Sequence, residues 1–279
     1  MQTTIRTVLM GLLLTLCGCG DYSKVLKSTD SNYRYEAAKG YYAVGQYGRA
    51  AELLNELIMP TKGTDKGEEC LFLLGMANFE GHNYASAAQV FKRYYQSYPR
   101  GSLAEEARFY AGKALYESTP EPRLDQTDTY NAVTEFSNFI EAFPNSKYRT
   151  EAQNCIFSLQ DKLVEKEYLS AKLYYDLGDY FGNCSSNGES NYQACIVTAQ
   201  NAIREHPYSK RREDLSILVL KAKFELAAHS IAAKQPVRYQ DAIDEFFGFQ
   251  TEYPESSFMP KATAMYESAK KWEKHDEDL

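Results

Sequence analysis

The residues of this chain that could carry chemistry are its histidines, its cysteines and its many carboxylates. No two histidines have the spacing of paired metal ligands on one helix, and no cysteine lies beside a histidine. The chain has no glycine-rich nucleotide loop and no nucleophile elbow around a serine. We therefore expect no metal, no bound cofactor and no enzymatic activity. The four histidines are His82, His206, His229 and His275.

Composition narrows the class of protein further. With 38 acidic and 31 basic residues, the chain carries a formal net charge of −7, which argues against nucleic-acid binding. A hydrophobic fraction of 44% and a charged fraction of 25% are typical of a globular protein. Aromatic side chains are abundant, with 23 tyrosines and 14 phenylalanines beside one tryptophan.

Residues 1–18 have the features of an export signal. Arg6 is the only charged residue, and the apolar run at 8–16 is too short to span a bilayer. The run ends in Leu16-Cys17-Gly18-Cys19, which resembles the lipobox of bacterial lipoproteins. Cys19 fits the modified position, because a small residue precedes it and a leucine lies three residues upstream. An ordinary secretory signal with two incidental cysteines is the alternative.

The lipobox resemblance implies a covalent diacylglycerol and an N-acyl chain on Cys19, such as palmitate. Several acyl chains anchor a protein stably where one would be marginal. Without Arg6, the mature part has 38 acids against 30 bases, about −8, so membrane contact should come from the lipid rather than from charge. Because no cluster of acids follows Cys19, we expect the periplasmic face of the outer membrane.

One register recurs along the rest of the chain: an aromatic residue, a small residue three positions later, a bulky residue four further on, and proline eight beyond that. Its best copy follows Leu74-Gly75 and resembles the tetratricopeptide consensus. The five copies are Tyr47, Ala50 and Leu54; Tyr84, Ala87, Phe91 and Pro99; Ala132, Phe136 and Pro144; Tyr192, Cys195, Ala199 and Pro207; and Tyr239, Ala242, Phe246 and Pro254.

This register predicts pairs of antiparallel helices, because the small residue allows close approach, the bulky one fills the groove and proline ends the second helix. We expect an all-α tetratricopeptide-repeat solenoid of about five helix pairs, or about ten helices, over residues 31–272. A lipidated tether at 19–30 should precede it, and a charged tail at 273–279 should follow.

Four helix ends share an aromatic or histidine ring, a proline and a following serine, which we expect to cap the next helix. The proline spacings of 45, 63 and 47 exceed the 34 residues of a minimal repeat, so insertions must lie between paired helices. Turn-forming residues place these insertions at 117–128 and 182–191. Long helices are expected at about 150–178 and 211–232.

Four cysteines remain in the mature chain beyond Cys19. Cys184 and Cys195 could form a disulfide that closes the second insertion, since the compartment is oxidising. Equally, Cys195 could fill the small-residue position of its repeat and leave Cys184 free. Cys70 and Cys155 lie in helical stretches and should be buried.

The first helices of the early repeats carry a recurring triplet that could bind a partner. Rings and two lysines on one face would suit an extended, aromatic-rich peptide that ends in a carboxylate. The alternative is that many of these rings belong to the core between repeats. The predicted groove residues are Tyr35, Lys39 and Tyr42; Phe72, Met76 and Phe79; and Phe109, Lys113 and Tyr116.

Taken together, the lipobox, the five repeats, the ring-Pro-x-Ser helix ends and about 260 mature residues resemble the BamD family of outer-membrane assembly lipoproteins. The resemblance implies a non-enzymatic subunit of the β-barrel assembly machinery. Such a subunit holds the periplasmic domains of the barrel-forming subunit beside other assembly lipoproteins, and receives unfolded outer-membrane proteins. By position, residues 31–116 would form the substrate groove and about 211–274 the docking surface.

Two other functions fit part of the sequence. A surface lipoprotein that captures glycans or nutrients could also use many rings, although such sites are often rich in tryptophan, and Trp272 is the only one here. A repeat adaptor in peptidoglycan synthesis would have the same anchor and the same repeats. Only its binding partners would distinguish it.

Overall fold

The computed structural model describes residues 18–178, 180 and 190–276, and within them every regular element is a helix. The prediction of an all-α repeat fold is confirmed. The helices are α1 (Gly18–Lys27), α2 (Ser31–Ala43), α3 (Tyr47–Leu57), α4 (Asp65–Glu80), α5 (Tyr84–Ser97), α6 (Ala104–Ser118), α7 (Thr127–Ala142), α8 (Arg149–Leu177), α9 (Asn191–Glu205), α10 (Arg212–Ala228), a 3-10 turn (Ala232–Lys234), α11 (Gln235–Glu252) and α12 (Met259–Asp276).

The five predicted pairs are α2–α3, α4–α5, α6–α7, α8–α9 and α10–α11, with α1 before them and α12 after them. The chain divides into two compact units. Unit 1 contains residues up to 119 and 127–156, and unit 2 contains 120–126 and residues from 157 onward. Helix α8 runs from one unit into the other.

The core of unit 1 is built on the repeat positions. Ala87 and Ala132 are completely buried, as are the bulky residues Phe91 and Phe136 that follow them. A glycine on the first helix of the pair makes room for each ring. A Cβ atom on Gly75 would lie 2.5 Å from Phe91 Cε1, and one on Gly112 would lie 2.9 Å from Phe136 Cδ1. Close helix packing therefore requires glycine at both sites.

Unit 2 uses the same positions with different residues. Cys195 and Ala199 of α9 are completely buried beside residues of α10. In the last pair, Phe246 is 3% exposed and stacks on Tyr266 of α12, with ring centroids 4.6 Å apart. Helix α12 thus covers the apolar side of α11 that would otherwise face solvent.

The serine after each ring-Pro helix end does not cap the next helix as predicted. Ser146 Oγ accepts a hydrogen bond from the backbone N–H of Tyr148 at 3.0 Å, which is one residue before α8 begins. Ser209 and Ser256 make the same bond two residues ahead. Ser102 instead donates to Glu68 at 3.1 Å. Ser146, Ser209 and Ser256 therefore accept a hydrogen bond within the tight turn between two helices and do not cap the helix that follows.

The first predicted insertion is the loop between α6 and α7. Within unit 2, the buried Gln126 side chain donates to the carbonyls of Glu121 (2.7 Å) and Leu124 (3.2 Å), and Lys166 Nζ donates to Leu124 at 3.0 Å. The second insertion falls largely on residues 181–189, outside the described residues.

Two of the predicted boundaries differ from those observed. The long helix α8 matches its prediction, but α10 ends at Ala228, and the chain turns through Ala232–Lys234 before α11. At the C-terminus, α12 continues to Asp276, so most of the predicted charged tail is helical. Residues 1–17, which are nearly all of the predicted signal peptide, and residues 277–279 are outside the described part of the chain.

Cys70 and Cys155 in unit 1 and Cys195 in unit 2 are buried. Burial raises the pKa of the Cys70 thiol to about 11 and that of Cys195 to about 12, and it also raises the pKa of Cys155. Cys184 lies outside the described residues, so the Cys184–Cys195 disulfide stays a prediction. Peptide mapping without reduction would test it.

A partly buried group of hydrogen-bonded side chains in unit 1 should make stability depend on pH. The Glu68 carboxylate accepts hydrogen bonds from Tyr94 and Ser102, and the bond from Tyr94 is the main reason why its pKa lies below the ordinary 4.5. Because the folded-state pKa is depressed, the contribution to stability is present above the unfolded-state value and is lost as pH falls through the folded one.

We therefore expect Glu68→Gln to be less stable than the native chain at neutral pH. On acidification to about pH 3, the melting temperature of Glu68→Gln should fall less than that of the native chain. Circular dichroism at both pH values measures this. Glu36→Gln, on the exposed side of α2, is the control and should retain the native pH dependence. Equal pH dependence of Glu68→Gln and the native chain would contradict the assignment.

Within the described part of the chain, no helix combines the length and the apolar composition that crossing a bilayer requires. The same residues contain no group of three or more His, Cys, Asp or Glu side chains placed to hold a metal ion.

Candidate peptide-binding face

The predicted groove residues lie on the first helices of three successive pairs, all in unit 1. Within each helix they are separated by four and then three residues, which places them on one stripe. Helix α2 carries Tyr35, Lys39 and Tyr42; α4 carries Phe72, Met76 and Phe79; and α6 carries Phe109, Lys113 and Tyr116.

The first ring of each triplet packs into the core. Tyr35 and Phe109 are each 2% exposed. Phe109 stacks on Tyr148 with ring centroids 4.4 Å apart, and Phe72 meets Phe91 edge-on at 5.6 Å. The assignment of Tyr35 and Phe109 to an open groove is therefore corrected, because both rings lie between helices.

The reason is geometrical. Helices α4 and α6 pack both against the second helix of their own pair and against the second helix of the preceding pair, so their buried stripes are wide. On α2, the Tyr35 ring is instead approached by Lys66 of α4, at 5.9 Å. A spacing of four and three residues identifies one side of the helix, but it does not show which positions on that side are buried and which are exposed. The sequence pattern therefore included positions that face neighbouring helices.

The later members of the triplets reach the surface. Lys39 is exposed, and Tyr42, Met76, Phe79 and Tyr116 are half-buried. Their rings are held by neighbours in the same unit. Tyr42 meets Tyr47 at 5.4 Å, and Phe79 meets Tyr84 at 5.5 Å, both edge-on. We use the name aromatic face for a surface of seven side chains: Tyr42, Met76, Phe79 and Tyr116, together with Lys39, Lys113 and Tyr110.

Tyr110 belongs to this face, although the sequence pattern did not select it. Its ring stacks on Phe91 at 5.6 Å and meets Phe79 at 5.4 Å. Burial raises the pKa of Tyr110, and the Glu106 and Glu80 carboxylates raise it further. On α6, the ring that reaches this face is therefore not Phe109, which the pattern selected, but the residue directly after it.

The two lysines of the face are already paired with carboxylates of the next first helix. Lys39 Nζ lies 3.6 Å from Glu69 Oε1, and Lys113 Nζ lies 2.9 Å from Glu151 Oε1. Burial alone would lower the pKa of Lys113, but the hydrogen bond to Glu151 raises it above its usual value. A peptide carboxylate would have to share or replace these partners.

This arrangement favours binding rather than reaction. Half-buried rings in fixed orientations present apolar edges and faces to side chains of another chain. Their neighbours are ion-paired lysines and carboxylates, so a bound segment would meet both charges.

Comparison with protein families identifies the group to which the chain belongs. The family model described as YfiO, outer membrane lipoprotein, matches residues 27–185, more than half of the sequence. The chain is a member of the YfiO family. In this YfiO member, the match begins at the end of α1 and includes the whole aromatic face. Helices α9–α12 lie beyond it.

Curated relatives of the YfiO member carry assembly-factor names. It is 22% identical over 179 residues to the outer membrane protein assembly factor BamD of Caulobacter vibrioides, covering 63% of this chain and 58% of the relative. It is 25% identical over 178 residues to the putative factor of that name from Aquifex aeolicus, covering 62% and 57%. The match thus spans less than three fifths of either relative.

One solved structure with a similar helical chain is the TPR2AB domain of yeast Sti1 in complex with an Hsp90 peptide. The sequence identity is 13%, the TM-score is 0.39, and the match covers 86% of this chain and 98% of the other. At that TM-score the similarity adds nothing to the fold described above.

Proposed function

We propose that this chain is a lipid-anchored, non-enzymatic subunit of the machinery that assembles β-barrel proteins in the outer membrane. It holds the periplasmic domains of the barrel-forming subunit, works beside other assembly lipoproteins and receives unfolded outer-membrane proteins for insertion. The observation that carries this proposal is family membership together with an aromatic face on the first helices of unit 1.

The proposed anchor is a diacylglycerol and an N-acyl chain on Cys19, with the protein on the periplasmic face of the outer membrane. The lipobox-like Leu16-Cys17-Gly18-Cys19 and the description of the family support it. The mass of the mature N-terminal peptide tests the anchor directly.

The proposed division of labour assigns residues 31–116 to substrate and about 211–274 to the barrel-forming subunit. The aromatic face supports the first assignment. For the second, α11 and α12 leave Phe247 48% and Trp272 38% exposed, which provides apolar surface for a docked domain.

Depletion of the protein tests the overall proposal. The amounts of β-barrel proteins in the outer membrane should fall, while lipoproteins that do not depend on the machinery should remain. Unchanged amounts of barrel proteins after complete depletion would defeat the proposal.

The lysines of the aromatic face should select a free carboxylate. We expect Lys39→Gln/Lys113→Gln to weaken binding of an aromatic-rich peptide from the C-terminus of an outer-membrane protein by about tenfold, the loss typical of one charge-assisted contact. Fluorescence anisotropy of a labelled peptide measures the affinity.

Two controls make this test specific. The same peptide with an amidated C-terminus should bind the native chain and the double variant equally. Lys172→Gln removes an ion pair to Asp176 at 2.8 Å in unit 2 and should not change binding. If the amidated peptide also lost affinity for the double variant, the carboxylate contact would be wrong.

A further inference from the structure

The segment between the proposed lipid and the first repeat is a packed helix. Val25 of α1 is 5% exposed, and the Tyr22 ring meets Tyr41 edge-on at 5.4 Å. The guanidinium of Arg49 lies over both rings, 5.1 Å from Tyr22 and 5.8 Å from Tyr41. The Tyr22 hydroxyl also donates to Glu52. Helix α1 is therefore fixed to the first helix pair.

These contacts locate the start of α1. Tyr41 lies near the end of α2, and Arg49 lies near the start of α3. Tyr22 therefore lies at the end of the first pair where α2 turns into α3. Cys19 precedes Tyr22 by three helical residues, an axial rise of about 4.5 Å. The backbone of α1 at position 19 is thus close to this turn.

The neighbouring turn lies at the same end of unit 1. A surface cleft is lined by residues 45–49 and by Gly81 of the α4–α5 turn. A Cβ atom on Gly81 would lie 3.3 Å from Tyr47 Cβ, which shows how closely the two turns approach. We call residues 44–48 and 81–83 the turn edge.

The composition of the turn edge suits a lipid surface. Its sequence is Val-Gly-Gln-Tyr-Gly and Gly-His-Asn, without an acidic residue, whereas the mature chain as a whole is acidic. Val44 is 69% exposed, so an apolar side chain projects from the first turn. The turn edge itself has no carboxylate that an anionic bilayer would repel, and the exposed Glu80 immediately precedes Gly81, whereas the rest of the mature chain is acidic.

We propose that the turn edge lies against the bilayer that holds the acyl chains of Cys19, with Val44 at the level of the lipid headgroups. The short, packed helix α1 sets this orientation, so the first two helix pairs stand on the membrane instead of moving on a free tether. The inference rests on the proposed lipid anchor. Beyond that anchor, it identifies which surface of the protein faces the membrane.

Quenching by a spin-labelled lipid tests this orientation in the full-length, lipidated protein. A fluorophore is attached to Val44→Cys or to Lys62→Cys, in a background with Cys184→Ser. Cys70, Cys155 and Cys195 are buried, which protects them from the dye. The protein is reconstituted in vesicles of phosphatidylethanolamine and phosphatidylglycerol that contain a headgroup-nitroxide lipid.

We expect severalfold stronger quenching at position 44 than at position 62. The two positions lie at opposite ends of α3, whose 11 residues span about 16 Å. Tyr22→Ala/Val25→Ala should release α1 and remove the difference between the two labels, whereas Lys27→Ala, on the exposed side of α1, should preserve it.

Equal quenching at the two positions, or stronger quenching at position 62, would overturn the proposed orientation. Mass spectrometry of the same samples separates this result from failure of the anchor. An acylated Cys19 with equal quenching refutes only the turn-edge contact. A Cys19 without lipid refutes the anchor and the inference that depends on it.

Discussion

Phe136→Ala is expected to lower the free energy of unfolding of unit 1 by about 3–5 kcal/mol. The Phe136 ring is completely buried and fills the space that Gly112 leaves in the partner helix. Its removal loses the transfer free energy of the ring and leaves a cavity between α6 and α7. Urea denaturation of the full chain, followed by circular dichroism, measures the loss.

A matched control lies on the same helix. Tyr130 of α7 is 58% exposed, so Tyr130→Ala should change stability by no more than about 0.5 kcal/mol. The fluorescence of Trp272, which stacks on Tyr239 at 5.2 Å, reports unit 2 and provides an internal reference. Similar losses from Phe136→Ala and Tyr130→Ala would contradict the assignment of Phe136 to the core.

Gly75→Ala is expected to destabilise unit 1 by about 1–3 kcal/mol, although alanine normally favours a helix. The added Cβ would lie 2.5 Å from Phe91 Cε1 and within 2.8 Å of two further atoms of the same ring. Since Phe91 is completely buried, its ring has no open space into which to move. Helices α4 and α5 would have to separate.

Gly40→Ala is the opposite case on a neighbouring first helix. A Cβ atom at Gly40 meets no atom within 4 Å, so the helix propensity of alanine should raise stability by about 0.5–1 kcal/mol. The pair of variants is compared by urea denaturation under the same conditions. If both shifted stability in the same direction, the close contact at Gly75 would not be what requires glycine.

The repeat register could be predicted from sequence because it is imposed by packing. At positions such as Ala87, Phe91 and Cys195, the size of a side chain fixes how closely two helices approach, so residue type records tertiary structure. Several helix ends could also be predicted, since proline in a helix interior removes a backbone donor and ends the helix, whereas it is tolerated in the first turn, as Pro236 is in α11. These constraints are local, and one chain displays them several times.

The surface of the fold could not be predicted in the same way. The sequence spacing of a phenylalanine on a helix with a wide buried stripe is the same whether its ring faces a neighbouring helix, as that of Phe109 does, or faces solvent. Tyr110 was therefore missed. Helix α1 was predicted only as a tether, because the contacts of Tyr22 with Tyr41 and Arg49 join segments that no local pattern connects.

The most direct test of the proposed function is affinity purification of the lipidated, full-length protein from gently solubilised envelopes, with mass spectrometry of the proteins that copurify. We predict recovery of a large β-barrel protein with periplasmic domains, together with other assembly lipoproteins. Recovery of peptidoglycan synthases or glycan-uptake proteins without that barrel protein would contradict the proposal and leave only the repeat fold in place.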